Sequence, residues 1–230
     1  MRAKSCRLIR KDEQVHNVWK YDFPLFGRRY KCAKRDGKEG NIGETLKKEI
    51  IYICGVDVAY RNNIAYCSAV LMNKNSIEVK ESVDITLNVK NPYVSSFFML
   101  RESEAIINIL KLLKNGFDLL LIDGHGVLHP RRCGLASYVG VIIDRPTIGV
   151  AKSILCGSVN ADHFIDVDGV ISGFKMVKEK KKPIFISVGH KINLINAIRI
   201  VKQLVKPKER IPEPLRLADI YSKALANSVP

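Results

Sequence analysis

Asp57, Glu102 and Asp123 are three carboxylates set in segments whose apolar periodicity would bury them, and His129 and Lys152 follow soon after the third. A buried carboxylate is costly unless it is paired or holds a cation. Three of them converging from separate elements would make a hard oxygen cluster suited to Mg²⁺ or Mn²⁺ rather than zinc. Such ions activate water and stabilise the leaving oxygen in phosphodiester cleavage. The densest stretch runs from Asp118 to Gly157 and packs Asp123, His125, His129, Arg131, Arg132 and Lys152 into one strand-turn-helix-strand pattern. That layout suits the handling of phosphate.

Each carboxylate also has an ordinary reading. Leu119 to Ile122 is a short apolar run that suits a strand buried on both faces, and Asp-Gly directly after it marks a turn at the strand's carboxyl end. Ligands of open α/β sheets gather at that end, although an Asp there can also simply start a turn or cap the next helix. In Ile50 to Tyr60, counting by twos places Asp57 on a face with Ile51, Ile53 and Gly55. An edge strand whose Asp reaches water would explain the same pattern. Between Arg101 and Asn115, Ile106, Ile109, Leu110 and Leu113 recur at helical spacing. Glu102 lies on that stripe, and Glu104 falls on a polar face with Asn108, Lys111 and Asn115. Glu102 is therefore expected to point at the sheet and Glu104 at solvent, with the helix dipole as the plain reason for an acid in a first turn.

The elements that must position these groups follow from the same periodicities. Three strand-like segments, Ile50 to Tyr60, Ile64 to Met72 and Ser76 to Val89, are separated by short polar turns and predict two hairpins in an antiparallel meander. A helix over Arg101 to Asn115, the Asp123 strand, a helix near Cys133 to Ile143, a short strand at Pro146 to Val150, a hairpin-like region to Val188 and further helices complete the order. This is an α/β arrangement: three antiparallel strands, then βα units adding parallel strands, with helices on the flanks.

At 230 residues and 47% hydrophobic content the chain has the size and core of one domain. The net charge of +15 favours a polyanionic partner, nucleic acid above all. Residues 1–48 carry 14 basic and 6 acidic side chains with weak hydrophobic periodicity, and are expected to form a basic arm ahead of one domain over 49–230. The run Lys178 to Lys182 reads as a solvated loop. Six cysteines without a Cys-x-x-Cys pair read as reduced and buried, in a cytoplasmic chain. Neither a secretory signal nor an apolar run long enough to span a bilayer is evident, so no membrane partner is expected, and no required protein partner is apparent.

The motifs GVDVAY, NPYVSSFFMLRE, IDGHGVLHPRRCGLASYVGV, RPTIGVAKSILCG, ISVGHKI and IPEPLRLAD occur in an order and spacing that resembles the endonuclease V family over about Ile50 to Ala226. The resemblance implies a ribonuclease-H-like fold. It also implies a Mg²⁺-dependent enzyme, with Mn²⁺ as a plausible substitute, that recognises hypoxanthine in DNA or RNA. Such an enzyme hydrolyses the second phosphodiester bond on the 3′ side and leaves 3′-hydroxyl and 5′-phosphate ends, a role in repair of deaminated adenine. Matching motifs make Asp57, Glu102 and Asp123 the metal-binding carboxylates and add Asp219 as a fourth acidic neighbour. Periodicity does not single Asp219 out, because it aligns with the mixed set Leu215, Ser222 and Ala226.

By the same matching, His129 and Lys152 lie beside the scissile phosphate, Tyr93 is the wedge that helps extrude the base, and Gly124, Gly126 and Gly134 let backbone approach the purine. The glycines would also serve turns and helix packing. Arg131 and Arg132 would add phosphate affinity, or else cap a helix or pair with Asp144. His125 and His129 have zinc-like spacing, but no third ligand completes a set, and His163 and His190 read as structural. A structure-selective or general ribonuclease-H-like nuclease is the alternative activity, and a nucleic-acid-binding protein that has lost catalysis is a third reading, disfavoured because all three principal carboxylates are present. The chain departs from the family pattern at Ser95-Ser96, where Pro-Gly is usual, so that loop is expected to be less rigid and base selection less stringent.

Overall fold

The computed structural model describes residues 49–89 and 98–228. The expected basic arm, Tyr93 and Ser95-Ser96 lie outside them. The meander forms as anticipated: β1 (Tyr52–Arg61), β2 (Ile64–Asn73) and β3 (Val79–Asn88) pair antiparallel in sequence order. Asn62 and Asn63 both take positive φ, 49° and 60°, which is the two-residue turn whose twist suits a hairpin and which Asn tolerates.

Helix α1 (Phe98–Leu110) leads to β4 (Leu119–Asp123), α2 (Leu135–Ile143) and β5 (Thr147–Ala151). The helix stops at Leu110 rather than continuing to Asn115. The Glu81 carboxylate on β3 draws in the backbone N–H groups of Lys114 and Asn115 at 2.8 and 3.0 Å, which holds this stretch as a loop. The hairpin-like region comprises four strands: β6 (Ser158–Val159), β7 (Phe164–Val167), β8 (Val170–Met176) and β9 (Ile184–His190). Asp168 and Gly169, with φ of 53° and 80°, turn β7 into β8. Helices α3 (Leu194–Leu204) and α4 (Glu213–Ser228) follow.

All nine strands form one sheet in the order β3-β2-β1-β4-β5-β9-β8-β7-β6. β1, β4 and β5 run parallel, and β9 returns antiparallel to β5. One face carries α1 and α2 over Cys54, Val56, Leu120 and Ile122, and the other carries α3 and α4 over Ile53, Leu119, Leu121, Ile148 and Val150. Alternating side chains of one strand thus feed two cores. Because β1 is interior, the edge-strand reading of Asp57 falls away.

Gly55 fixes how closely α4 lies on β1. A Cβ there would collide with the Pro214 backbone, so any larger residue would lift the helix from the strand. Cys6 and Cys32 lie outside the described residues, and for the other four cysteines the expectation holds in part. Cys54, Cys67, Cys133 and Cys156 are all free thiols, but only the first two are buried, since Cys133 and Cys156 sit in loops at the sheet margin.

Candidate active site

The ladder between β1 and β4 pairs Val56 with Ile122 as its last couple. Asp57 and Asp123 are the next residues on their two parallel strands, so both carboxylates leave the sheet side by side at its carboxyl edge. Period two puts them on the face covered by α4. Asp123 pairs in turn with Val150 of β5, and Lys152 lies two residues further along that chain on the same face.

Helix α4 runs along β1 from Pro214 beside Gly55 to Ala226, whose carbonyl accepts from Arg61 Nη1 at 3.1 Å. This course brings in Asp219. One ligand atom from each of Asp57, Asp123 and Asp219 falls within 4.8 Å of the others. The mixed face seen in sequence is the buried one: Leu215, Ala218, Ser222 and Ala226 pack inward, with small residues allowing close approach to the strands.

Two groups given no role in the sequence, Ser222 and Lys223, complete the surroundings together with the expected Lys152. Ser222 is fully buried and its hydroxyl donates to Asp57 Oδ2 at 3.3 Å. A serine one turn beyond Asp219 on the same face was the available signal. Lys223 Nζ lies 2.6 Å from Asp219 Oδ2. Lys152 Nζ lies 2.5 Å from Asp123 Oδ2 and 3.0 Å from Asp219 Oδ1.

The electrostatics are those of a site short of positive charge. Burial and then the neighbouring Asp123 push the Asp57 carboxyl up to about 6, despite Lys152 and the Ser222 hydroxyl. Burial also works on Asp219, but the ammonium groups of Lys223 and Lys152 outweigh it and hold this carboxyl below its usual range. Lys152 gains more from Asp123 and Asp219 than it loses by burial, so it stays protonated well past neutral pH. A compact group of carboxylates, one of them forced toward protonation, fits a hard divalent cation, and its donor set is all oxygen.

Glu102 stands apart from that group. It is 5% exposed and points at the sheet while Glu104 faces solvent, as its place on the apolar stripe required. It comes from α1, however, on the opposite face from α4. Burial, then the charges of Asp57 and Asp123, push its carboxyl well above the usual range, so it senses the cluster from across the sheet edge.

His129 is buried and its Nδ1 accepts the Arg131 backbone N–H at 3.2 Å. Burial, then Arg131 and His125, push its pKa down to about 4. At neutral pH the ring is uncharged with its proton on Nε2, which can donate. The loop that carries it is pinned to β9: Gly126 N–H donates to Ser187 Oγ at 2.8 Å and Val127 N–H to the Val188 carbonyl at 2.7 Å. A Cβ on Gly126 would collide with that carbonyl, and one on Gly134 would collide with the His125 carbonyl. Backbone packing alone therefore accounts for these two glycines, while Gly124 meets only the Leu135 side chain at 3.5 Å.

Arg132 is committed to structure. Its guanidinium donates to Ser172 Oγ and to the Val167 carbonyl, tying the loop to the β7–β8 hairpin. The pairing with Asp144 does not form, because Lys191 Nζ and His190 Nε2 take that carboxylate at 2.8 and 3.3 Å. No helix among the described residues is long and apolar enough to cross a membrane.

Comparison with known proteins adds an independent line. The endonuclease V family model matches residues 38–220, beginning earlier than the motifs that start near Ile50. Endonuclease V of Thermofilum pendens is 38% identical over 188 residues, which cover 80% of this chain and 81% of the relative. The crystal structure of endonuclease V from Bacillus subtilis aligns with a TM-score of 0.71 at 31% identity, over 77% of this chain and 81% of that one. Endonuclease V of Ciona intestinalis, in complex with a 24mer DNA containing an inosine followed by a ribo-adenosine, aligns with a TM-score of 0.78 at 27% identity, over 95% and 100% of the two chains.

Proposed function

Since the chain belongs to the endonuclease V family and is an endonuclease acting on nucleic acid, we propose that it recognises hypoxanthine and hydrolyses the second phosphodiester bond on its 3′ side. The observation that carries this reading is the meeting of Asp57, Asp123 and Asp219 at the carboxyl edge of the sheet. The inosine-containing DNA held by the Ciona relative supports the choice of base.

Asp57, Asp123 and Asp219 would hold Mg²⁺, with Mn²⁺ as a substitute and Glu102 approaching from α1. The bound ion would supply activation of the attacking water and charge stabilisation at the leaving oxygen. Lys152 places a permanent positive charge beside the reacting phosphate and offsets the negative charge that builds during attack. His129 presents its Nε2–H, an uncharged donor at neutral pH, to a non-bridging phosphate oxygen. Ser222 holds the Asp57 carboxylate, and Lys223 steadies Asp219.

The pinned loop over Gly124 to Gly134 offers backbone to the extruded purine, with Tyr93 as the wedge and Arg131 as a phosphate contact. Products would carry 3′-hydroxyl and 5′-phosphate ends, which suits repair of deaminated adenine. The test is cleavage of matched oligonucleotides bearing deoxyinosine, inosine, uracil or no lesion, with and without Mg²⁺. Cutting confined to the hypoxanthine substrates and dependent on the ion is expected. Equal cutting of undamaged strands would replace this reading with that of a general nuclease.

A further inference from the structure

Two basic stretches far apart in sequence are clasped together at the same end of the sheet as the carboxylates. The β8–β9 turn carries Lys178, Lys180, Lys181 and Lys182, and the end of α3 with the connection to α4 carries Lys202, Lys206, Lys208 and Arg210. The basic groups themselves make the clasp. Lys178 Nζ donates to the Lys206 carbonyl, and Arg210 Nη1 reaches the carbonyls of Lys182 and Pro183 at 3.4 Å each.

Carbonyl oxygens accept these donors but cancel no charge. Within the two stretches the only acidic side chains are Glu179 and Glu209. The buried Glu213 takes Lys206 and Arg216 and so offsets the Lys206 charge, which leaves the excess on the other lysines of the two stretches. Like charges are thus held close at an electrostatic cost that a polyanion would relieve. Lys180, Lys181, Lys182, Lys202, Lys206 and Lys208 are all exposed.

The patch is placed to meet substrate. β9 pairs with β5 so that Phe185 lies beside Ala151, the residue before Lys152. The β8–β9 turn therefore leaves the sheet at the edge that holds Asp123 and Lys152. Met176 pairs with Ile184 at the base of this turn, so residues 177–183 project beyond that edge of the sheet.

We propose that the clasped loops are a second anchoring surface, gripping the sugar-phosphate backbone of the substrate on the flank of the acidic site whatever base is being recognised. The proposal rests on the endonuclease reading above. Nucleic acid fits better than an anionic lipid surface, because the patch shares its edge with the carboxylates and consists of loops rather than an amphipathic helix with an apolar face to bury in lipid.

The decisive variant is K180Q/K181Q/K182Q, which removes exposed charge and leaves every clasp donor in place. Binding would be measured without Mg²⁺ across a salt series, using a long duplex and a duplex truncated close to the lesion. The variant should bind the long duplex roughly tenfold or more weakly at low salt, with a log-log salt slope shallower by about 0.9 for each phosphate that is no longer neutralised. The weakening should be equal for hypoxanthine-containing and undamaged DNA and absent on the truncated duplex. K180R/K181R/K182R should restore wild-type behaviour.

An unchanged slope, or an equal weakening on the truncated duplex, overturns the proposal. So does abolished binding to phosphatidylserine-containing vesicles with DNA binding intact, which would assign the patch to lipid. A changed slope in a protein with no preference for hypoxanthine upholds the anchoring surface and sinks only the substrate reading.

Discussion

Lys152 Nζ lies 2.5 Å from Asp123 Oδ2 and 3.0 Å from Asp219 Oδ1, so the protein's own ammonium bridges carboxylates from β4 and α4. The same carboxylates belong to the cluster that could hold a divalent cation. Lys152 thus both lowers the repulsion that the cluster would otherwise suffer and competes for it.

Lys152→Gln should separate these two effects. Turnover should fall by about a hundredfold or more, as expected when a charge aimed at the developing negative phosphate is removed. Affinity for Mn²⁺ in the absence of substrate should rise roughly tenfold, because a repelling positive charge has left the site. Titration calorimetry checks the second effect, and unchanged or weaker Mn²⁺ binding would refute the competition.

Asp57, like Glu102, makes the stability of the metal-free protein depend on pH. Its carboxyl is pushed up to about 6, above the roughly 3.9 of an unfolded chain, so between those values the folded state binds more protons. Stability contributed by this group therefore falls as pH rises from about 4 through about 6. Asp57→Asn should stabilise the metal-free protein at pH 8 by about 1–2 kcal/mol, with little gain at pH 4, and should abolish cleavage. Thermal melts at the two pH values, with and without Mg²⁺, check this. Mg²⁺ should raise the wild-type Tm and leave the variant's nearly unchanged.

Gly126→Ala should be severe. The added methyl would meet the Val188 carbonyl, which already accepts the Val127 N–H. Either the loop shifts, carrying His129 with it, or β9 yields. A drop of about 2 kcal/mol or more in stability, or a comparable fall in kcat, is expected from overpacking against backbone. Denaturant melts paired with cleavage rates measure both.

Glu213 governs acid stability away from the site. Its buried carboxylate takes Arg216 Nε at 2.7 Å and Lys206 Nζ at 2.8 Å. The Arg216 hydrogen bonds, against burial and with help from Lys206, bring its pKa down to about 2. A depressed carboxyl contributes stability that is whole above about 4.5 and is lost as pH falls toward 2. Glu213→Gln should cost about 2–3 kcal/mol at pH 7 and flatten the acid limb of the Tm-against-pH curve. An acid limb identical to wild type would show that the pair contributes nothing.

Much of the site was legible because period two and period 3.6 are local. They put Asp57 on the Ile53 face, separated Glu102 from Glu104, and located Asp123 at a strand end. Asp219 was not legible by periodicity, because helix α4 packs through Leu215, Ala218, Ser222 and Ala226. Small and polar residues at a close helix-sheet contact look like a mixed face in a hydropathy pattern. Long-range interactions hid the rest. Glu81 stops α1 from another strand, and Arg132 is drawn away from phosphate by Ser172 and Val167, partners 40 and 35 residues away in the chain. The clasp between residues 178–183 and 206–210 was equally invisible, since each stretch alone is an ordinary charged loop.

Helix α4 supplies Asp219 and the Ser222 that steadies Asp57, and it is the last of the described elements along the chain. During synthesis the strands bearing Asp57 and Asp123 emerge well before it. A nascent or truncated polypeptide ending ahead of Glu213 would hold all nine strands of the sheet while lacking one wall of the acidic cluster. Without that helix the polypeptide should cleave no nucleic acid.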